Sequence, residues 1–431
     1  MSRKFPPRIV IAGGGVAGLL LATRLGRELR KDRSATVVLV DRSPTHVWKP
    51  MLHTFAAGTW NVYQQQIQYL AHAQANQFEY VPGALTRIDT ANSCLELGPV
   101  MVGDTRIVDE RKLTFDKLVL CIGSSANHFN TPGVTQYCHF IDGQQQAELF
   151  NTHLRATIAR GIALGEAIDV AIVGAGATGV ELAAELSRLV ELVSAYAGAN
   201  HARKQLRITL IESAARVLAA FPEELASAAA SQLTALGVRL LTGVRVIAAD
   251  AEGFLLEDGR RVEARLKVWA AGVAASEFYG DTLKANRVGQ ILVDENLAAQ
   301  DHEHIYAIGD CSSFQIPDSP RPLAATAQVA NQQAIHLARH LPGAIRLGDP
   351  VPPFRFRDMG SLVSLGEYNA FGTLGRLGFF KGGFIRGRFA QLGHAYLYRR
   401  HQILLHGPFK ATALWLAERI NVMVQPKFRI S

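Results

Sequence analysis

Two glycine-rich turns, each followed by an acidic residue, are the parts of this sequence best suited to chemistry. The first carries Gly13, Gly15 and Gly18 in a G-x-G-x-x-G pattern, and Asp41 follows about twenty residues later. Glycine permits the tight turn and lets the backbone approach a pyrophosphate, while the helix that begins there directs its N-terminus at the phosphates. Because the acid can accept hydrogen bonds from ribose hydroxyls, the pattern predicts a dinucleotide site.

The second turn repeats this pattern with Gly174, Gly176 and Gly179, and Glu212 ends the next strand. Glu212 would bind a ribose 2′-hydroxyl and repel a 2′-phosphate, so NADH is favoured over NADPH. We interpret Arg216 as a solvated loop charge rather than a phosphate ligand. Two dinucleotide sites in one chain indicate hydride transfer from a nicotinamide to a flavin.

The elements that must position these residues follow the strand, turn, helix and strand order of a βαβ unit. Around the first turn we predict a strand over 8–12, a helix over 19–29 and a strand over 36–40. Around the second turn we predict a strand over 168–173, a helix over 180–195 and a strand over 207–211.

Three more buried strands each run into a glycine that we assign to cofactor binding. They are 118–122 before Gly123, 267–271 before Gly272 and 304–308 before Gly309. Helical periodicity resumes over 324–341. The predicted class is α/β, with two Rossmann-like domains for FAD and NAD and a C-terminal α+β region ending in amphipathic, membrane-associated helices. The predicted domains are an FAD domain in two parts (1–140 and 286–345), an NAD domain (141–285) and a membrane-association region (346–431).

The composition excludes several classes of protein. Apolar residues make up 48% of the chain and charged residues 19%, which is typical of a globular protein. The four cysteines form no C-x-x-C pair, so we predict neither a metal site nor a local redox disulfide. Because four cysteines are few for this length, we expect a reducing compartment. The N-terminus lacks a signal peptide, and no apolar run approaches the ~18 residues of a membrane span. A soluble or peripheral protein is therefore expected.

Positive charge is concentrated in the C-terminal tail. Residues 376–431 carry a net charge of +9, whereas the rest of the chain carries −1. A neutral body with a basic tail predicts contact with an anionic surface and argues against nucleic-acid binding.

The end of the tail has the pattern of an amphipathic helix. One face would carry Phe409, Ala413, Leu416, Ile420 and Met423, with Lys410, Glu418 and Asn421 opposite. A basic amphipathic helix is typical of an in-plane membrane helix. The alternative, packing on the protein body or on the partner in a homodimer, stays open.

Several segments together resemble a known family, the type II NADH:quinone oxidoreductases, which are single-chain, non-pumping members of the two-dinucleotide-binding-domain flavoproteins. The resemblance covers essentially the whole chain. Besides the two glycine turns, its segments are 46–53 (HVWKPMLH), 269–272 (WAAG), 306–311 (YAIGDC), 327–333 (AQVANQQ) and 360–366 (GSLVSLG).

This resemblance implies that non-covalently bound FAD takes a hydride from NADH and then reduces a membrane quinone without proton pumping. It implies that Gly309 and Asp310 form the second FAD motif and that Lys49 and Pro50 lie beside the isoalloxazine. Related disulfide reductases have a redox cysteine pair in that region; here there is none. The implied location is the cytoplasmic face of the bacterial inner membrane.

Three further side chains receive catalytic roles through the resemblance. Glu181 would lie near the nicotinamide–flavin contact, where it could orient the nicotinamide or relay a proton; without the resemblance we would favour a role in offsetting the helix dipole. Gln328 and Gln332 share a helix face and would contact flavin and quinone. The alternative for both glutamines is an ordinary polar face.

Other reactive residues are predicted to be inert. We interpret Cys121 as a buried core thiol. His46, His53 and His394 lack metal spacing and are expected to be structural or solvated. Two rival functions remain: a sulfide:quinone or ferredoxin-type reductase on the same fold, and a non-catalytic, NADH-sensing membrane flavoprotein.

Overall fold

The computed structural model describes residues 6–59, 66–197, 206–275, 282–317, 319, 321–365, 369–374, 384–386 and 388–424. The strands, in chain order, are β1 (Arg8–Ala12), β2 (Thr36–Asp41), β3 (Thr45–His46), β4 (Ile67–Gln68), β5 (Glu79–Pro82), β6 (Leu85–Asp89), β7 (Cys94–Leu97), β8 (Val100–Val102), β9 (Thr105–Val108), β10 (Arg111–Thr114), β11 (Lys117–Leu120), β12 (Ser125–Ala126), β13 (Ile168–Val173), β14 (Leu206–Glu212), β15 (Arg239–Thr242), β16 (Val246–Ala249), β17 (Gly253–Leu256), β18 (Arg261–Glu263), β19 (Leu266–Trp269), β20 (Val273–Ala274), β21 (Ile291–Val293), β22 (Ala298–Ala299), β23 (His302–Ala307), β24 (Ser312–Phe314), β25 (Gly360–Leu365), β26 (Asn369–Leu374) and β27 (Phe384–Arg386). The helices are α1 (Val16–Leu29), α2 (Leu52–Ala57), α3 (Tyr69–Asn76), α4 (Val134–Tyr137), α5 (Gln144–Leu164), α6 (Ala177–Ala197), α7 (Glu223–Ala235), α8 (Ala327–Arg346), α9 (Arg388–His406) and α10 (Pro408–Val424).

The contacts between residues divide the chain into two compact units. Unit 1 comprises Met1–Trp48, Gln65–Ser125 and Ala274–Arg357, and unit 2 comprises Lys49–Gln64, Ala126–Val273 and Asp358–Ser431. These units are defined by packing and not by the ligand bound, so the division into FAD, NAD and membrane domains stays a prediction.

An eight-stranded sheet forms the centre of unit 1, in the order β24-β21-β22-β23-β11-β1-β2-β5. Strand β1 pairs in parallel with β2 on one side and β11 on the other, which brings Ala12 level with Val40 and Leu120. These strands are buried runs of valine, isoleucine and leucine, as expected for a parallel sheet covered on both faces. Their carboxyl ends meet at one edge, where the first glycine turn lies.

Helix α8 packs against α1 in unit 1 and is longer than predicted. Its N-terminus is capped by Thr326, whose Oγ1 accepts a hydrogen bond from the Val329 N–H at 3.3 Å. The sequence predicted helical periodicity over 324–341, but the helix runs from Ala327 through Pro342 to Arg346. Proline removes one backbone donor, and tertiary contacts offset that loss: Pro342 is buried, and Arg346 pairs with Asp32 at 2.6 Å.

A four-stranded parallel sheet forms the centre of unit 2, in the order β15-β14-β13-β19. Strand β13 pairs with β14 and β19, so Val173 lies level with Ile211 and Trp269. The chain proceeds from β13 to β14 and β15 on one side and returns to β19 on the other. The strand order therefore reverses between β13 and β19, and open α/β sheets bind ligands at the carboxyl ends of the strands beside such a reversal.

The last part of unit 2 contains the sheet β25-β26-β27 and the helices α9 and α10. Helix α10 is held to α9 by an ion pair between Arg399 and Glu418. Its opposite face is exposed: Phe409 is 90% exposed, Leu416 51% and Ile420 61%. The side chain of Met423, predicted on the same face, lies outside the described residues, as does that of His394. Among the described helices, none combines the length and apolar character that crossing a bilayer requires.

The strands and helices predicted around both turns are confirmed. Every predicted strand corresponds to an observed one, with bounds that differ by no more than two residues. The helices after the turns begin slightly earlier than predicted, at Val16 and Ala177. The predicted α/β class with two Rossmann-like sheets is confirmed as well.

Candidate functional site

The first glycine turn, in unit 1, has the close contacts that only glycine allows. Gly13 has φ +101°, and a Cβ there would collide with the carbonyl of Cys121 at the end of β11. A Cβ on Gly18 would collide with the Gly13 carbonyl. By contrast, a Cβ on Gly15 would meet no atom of the described residues within 4 Å, so Gly15 borders open space at the N-terminus of α1. That is where a pyrophosphate binds in this motif.

Asp41 is tied to the same turn. Its Oδ2 accepts a hydrogen bond from the Gly14 N–H at 2.6 Å, and its Oδ1 accepts one from the Ser43 N–H at 2.7 Å. Burial raises the pKa of the Asp41 carboxyl, and the two backbone hydrogen bonds oppose that shift. The Tyr69 hydroxyl donates to the Gly14 carbonyl at 2.7 Å. The turn and its acid therefore form one hydrogen-bonded unit.

Gly309 and Asp310, the predicted second motif of unit 1, are held by three side chains. The Ser124 hydroxyl donates to Asp310 Oδ2 at 2.9 Å, and Gln290 Nε2 donates to the Asp310 carbonyl at 3.0 Å. The Gly309 N–H donates to Gln333 Oε1 at 2.8 Å. Gly123, beside Ser124, has φ +71° and borders open space.

Gln333 is a residue that the sequence interpretation missed. Its side chain is fully buried, and its Nε2 has no hydrogen-bond partner among the residues that the structure describes. The only signal was its place in the A-Q-V-A-N-Q-Q segment, where the two preceding glutamines were chosen because they share a helix face.

The side-chain amide of Gln332 is bonded to the backbone of Arg357 within unit 1. Its Nε2 donates to the Arg357 carbonyl at 2.8 Å, and its Oε1 accepts from the Arg357 N–H at 3.0 Å. These bonds hold the chain that follows α8, which favours a structural role for Gln332. Its predicted contact with quinone, and that of Gln328 one turn earlier, stay predictions.

Two buried thiols of unit 1, Cys121 and Cys311, are poorly suited to nucleophilic chemistry. Burial raises the pKa of Cys121 well above its ordinary value and that of Cys311 to about 12. The Cys311 thiol donates to the Ile308 carbonyl at 3.3 Å. The predicted burial of Cys121 in the core is confirmed, and its raised pKa disfavours the thiolate, which is the reactive form.

The second glycine turn, in unit 2, repeats the geometry of the first. Gly174 has φ +101°, and a Cβ there would collide with the Ala270 carbonyl at the end of β19. A Cβ on Gly179 would collide with the Gly174 carbonyl, whereas one on Gly176 would meet no described residue within 4 Å. Gly176 therefore borders open space at the start of α6, as Gly15 does at α1.

Glu212 is tied to its turn as Asp41 is to the first. Its Oε2 accepts from the Ala175 N–H at 2.7 Å, and its Oε1 accepts from the Ala214 N–H at 2.8 Å. The equivalence of the two acids supports the prediction that both end a nucleotide-binding βαβ unit.

Arg216 is not the solvated charge that the sequence suggested. It is half-buried, and its guanidinium donates to the carbonyls of Ala219 and Phe221 at 3.2 and 2.9 Å. These bonds close the loop after β14. The buried Leu218 holds the same loop against the glycine turn, because its N–H donates to the Ala175 carbonyl at 2.8 Å. Unpaired backbone carbonyls in a loop attract an arginine, and sequence spacing does not reveal them.

His53 and Glu181 meet inside unit 2. His53 Nδ1 lies 3.3 Å from Glu181 Oε2, and the side chains are only 5% and 11% exposed. One helical turn later, Glu185 accepts hydrogen bonds from Thr59 Oγ1 at 2.8 Å and from Arg188 at 3.2 Å. The chain that follows the 3₁₀ turn of Lys49 and Pro50 is thus joined to α6 by one buried polar contact, at His53, and one part-buried contact, at Thr59. His53 is buried and paired with Glu181, which the sequence did not predict.

Comparison with known proteins agrees with this geometry. The sequence profile of the pyridine nucleotide-disulphide oxidoreductase family matches residues 7–334 of this chain. The type II NADH:quinone oxidoreductase of Haemophilus influenzae is 35% identical over 98% of this chain and 99% of its own. The chain belongs to the type II NADH:quinone oxidoreductases. A second type II NADH:quinone oxidoreductase, from Staphylococcus saprophyticus, is 29% identical over 85% of this chain and 89% of its own.

Solved structures of the same fold include NDH2 from Plasmodium falciparum in complex with NADH. It has a TM-score of 0.83 at 19% identity and covers 98% of this chain and 100% of its own. The sulfide:quinone oxidoreductase of Aquifex aeolicus has a TM-score of 0.73 at 14% identity and covers 97% of this chain. At these identities the likeness concerns the fold alone, so it does not separate the two activities.

The residues of unit 1 fit the FAD of this family. The space beside Gly15 suits a pyrophosphate, Asp41 stands at the end of β2 where an adenosine ribose would lie, and Asp310 ends the second motif. The unpartnered Gln333 Nε2 beside Gly309 is a donor available near that motif. In unit 2, Gly176 and Glu212 fit a second dinucleotide, NADH, in the same way.

Proposed function

We propose that this protein oxidises NADH and reduces a membrane quinone, as a non-pumping type II NADH:quinone oxidoreductase with FAD as its cofactor. Membership of the family carries the proposal, and the two intact glycine turns with their tied acids support it. Bound FAD would supply the redox chemistry, accepting two electrons from NADH and passing them to the quinone. The protein binds and orients the two nucleotides and keeps water from the reacting atoms.

Visible absorption of the anaerobic protein tests this function. Adding NADH should bleach the flavin absorption, and adding a soluble quinone should restore it with one quinone consumed per NADH. Bleaching without reoxidation would favour an NADH-sensing flavoprotein. Bleaching by sulfide but not by NADH would favour a sulfide:quinone reductase, although the buried, high-pKa thiols of Cys121 and Cys311 argue against that rival.

Glu212 is proposed to set the preference for NADH over NADPH. In Glu212→Gln the side chain keeps its size but loses the charge that repels a 2′-phosphate. We expect the ratio of kcat/KM for NADH to that for NADPH to fall about tenfold, because close like charges cost roughly 1 kcal/mol or more. The same change at the equivalent acid, Asp41→Asn, should leave the ratio unaltered. An unchanged ratio in Glu212→Gln would show that another residue discriminates.

Glu181 is proposed to relay a proton toward the quinone, with His53 as its hydrogen-bonded partner. NADH delivers two electrons with only one proton, so quinone reduction needs a further proton from the protein. Glu181→Gln should slow quinone reduction in stopped flow at least about a hundredfold, within the range typical of general acid–base groups. Flavin reduction by NADH should change much less.

Glu185→Gln is the matched control, since it lies one turn along the same helix and is also buried. It should lower the melting temperature by weakening the contacts with Thr59 and Arg188, with kcat largely retained. If Glu181→Gln slows flavin reduction instead, Glu181 orients the nicotinamide and does not relay the proton.

The exposed face of α10 is proposed to bind the cytoplasmic surface of the bacterial inner membrane, where a lipid-soluble quinone is available. Exposed aromatic and aliphatic side chains would enter the interface, and the basic tail would attract anionic lipid. Dimerisation through the same face is the alternative proposal.

A further inference from the structure

A short loop in unit 2 holds an exposed aromatic ring near the carboxyl end of β19, the strand that pairs with β13 before the second glycine turn. Phe129 is 60% exposed, although burial of a phenylalanine ring normally stabilises a fold. It has φ +50°, and the next residue, Asn130, has φ +52°. Left-handed conformations of residues other than glycine are strained, and they cluster at ligand sites.

Hydrogen bonds maintain this strained loop. The Asn127 N–H donates to the Gly272 carbonyl at 2.9 Å, and Trp269 Nε1 donates to the Asn127 carbonyl at 2.8 Å. Asn127 Oδ1 in turn accepts from the Phe129 N–H at 2.8 Å. The loop is therefore attached to the carboxyl end of β19 and its ring is presented in a defined position.

The ring lies over Gly272. A Cβ on Gly272 would be 3.3 Å from the Phe129 ring, so the absence of a side chain there leaves room for the ring. Val273, the next residue, is also 48% exposed. Phe129 and Val273 thus form an apolar surface at the end of β19, which the packing of unit 2 leaves uncovered.

The position of this surface identifies the part of NADH that would reach it. Glu212, at the end of β14, receives the adenosine ribose, and the turn at Gly176 receives the pyrophosphate. The sheet order places β14 on one side of β13 and β19 on the other. Since the dinucleotide extends across the turn, its nicotinamide half points toward β19.

We propose that the Phe129 ring packs against the nicotinamide half of NADH and so positions it for hydride transfer. The inference rests on the proposed use of NADH and adds a residue to that site. A flat aromatic ring offers the nicotinamide a stacking partner and excludes water from one side of it. Gly272, predicted as a cofactor-binding residue, would then act by allowing the ring its position.

Binding of two ligands to the oxidised, FAD-loaded protein tests this contact. NAD⁺ contains the nicotinamide half, whereas ADP-ribose retains only the adenosine, the pyrophosphate and the second ribose. In Phe129→Ala, calorimetry should show the Kd for NAD⁺ raised about tenfold and that for ADP-ribose changed less than about twofold. Phe129→Tyr should restore NAD⁺ binding. Leu149→Ala, which changes an exposed residue of α5 in the same unit, should alter neither Kd.

Three results would overturn the proposal. Equal losses for both ligands would mean that the loop supports the glycine turn and makes no specific contact with nicotinamide. Unchanged binding of both would mean that the ring is away from NADH. If NAD⁺ binding is unchanged and a separate stopped-flow measurement shows slower reoxidation of the reduced flavin by quinone, the ring belongs to the quinone site. Because the titrations need no quinone turnover, they can fail or succeed independently of the proposed function.

Discussion

Replacing Gly176 by alanine is expected to weaken NADH binding about tenfold to a hundredfold while FAD stays bound. The new methyl group would meet no atom within 4 Å in the part of the chain that the structure describes, so the fold should tolerate it. It would instead occupy the space in which the pyrophosphate approaches the backbone, and each tenfold loss corresponds to about 1.4 kcal/mol. Gly15→Ala should have the converse effect: the protein should lose FAD on ultrafiltration, as measured by its absorption.

Gly143→Ala is the matched control for these variants. Gly143 is also the extended N-cap residue of a helix, α5, and a Cβ there would meet nothing within 4 Å. It shares any cost of replacing glycine at a helix N-cap but lies in neither glycine turn. If Gly143→Ala lost either nucleotide to the same extent, the losses would reflect helix destabilisation rather than occupation of the pyrophosphate space. Loss of FAD from Gly176→Ala would contradict the assignment of separate sites.

Removing the apolar face of α10 is expected to release the protein from membranes. The variant Phe409→Ser, Leu416→Ser, Ile420→Ser should bind vesicles of phosphatidylethanolamine and phosphatidylglycerol at least about a hundredfold more weakly, since each buried apolar side chain contributes roughly 1.5 kcal/mol or more. Turnover should fall more with long-tailed quinones than with short, water-soluble ones. High salt should release the unaltered protein only partly, because salt screens the basic tail and leaves apolar burial intact.

A triple variant of exposed leucines outside the tail controls for a general loss of apolar surface. Leu149, Leu164 and Leu347 are 53%, 60% and 77% exposed, comparable with the three tail residues. Their replacement by serine should leave sedimentation with vesicles unchanged. If the tail variant keeps its FAD and melting temperature and still sediments fully, the face does not bind lipid. A shift from dimer to monomer in that variant would then assign it to dimerisation.

Local sequence patterns were sufficient for the βαβ units. Strand, turn and helix are adjacent in the chain at Gly13–Gly18 and at Gly174–Gly179, and the residue types that each requires are the ones present. Their bounds were therefore predicted closely. The end of α8 was predicted five residues too early because periodicity stops at residue 341, whereas buried Pro342 and the Arg346–Asp32 pair carry the helix on to Arg346.

The sequence by itself determined the fold class, the two glycine turns and the acids that end β2 and β14, because these depend on residues close together in the chain. Only the tertiary structure decided which distant residues meet: His53 with Glu181, Gln333 with Gly309, and Phe129 with Gly272. Such pairs depend on strand order and register, which bring the ends of separate strands and helices together. Periodicity records which face of an element is buried but carries no information about the partner that covers it.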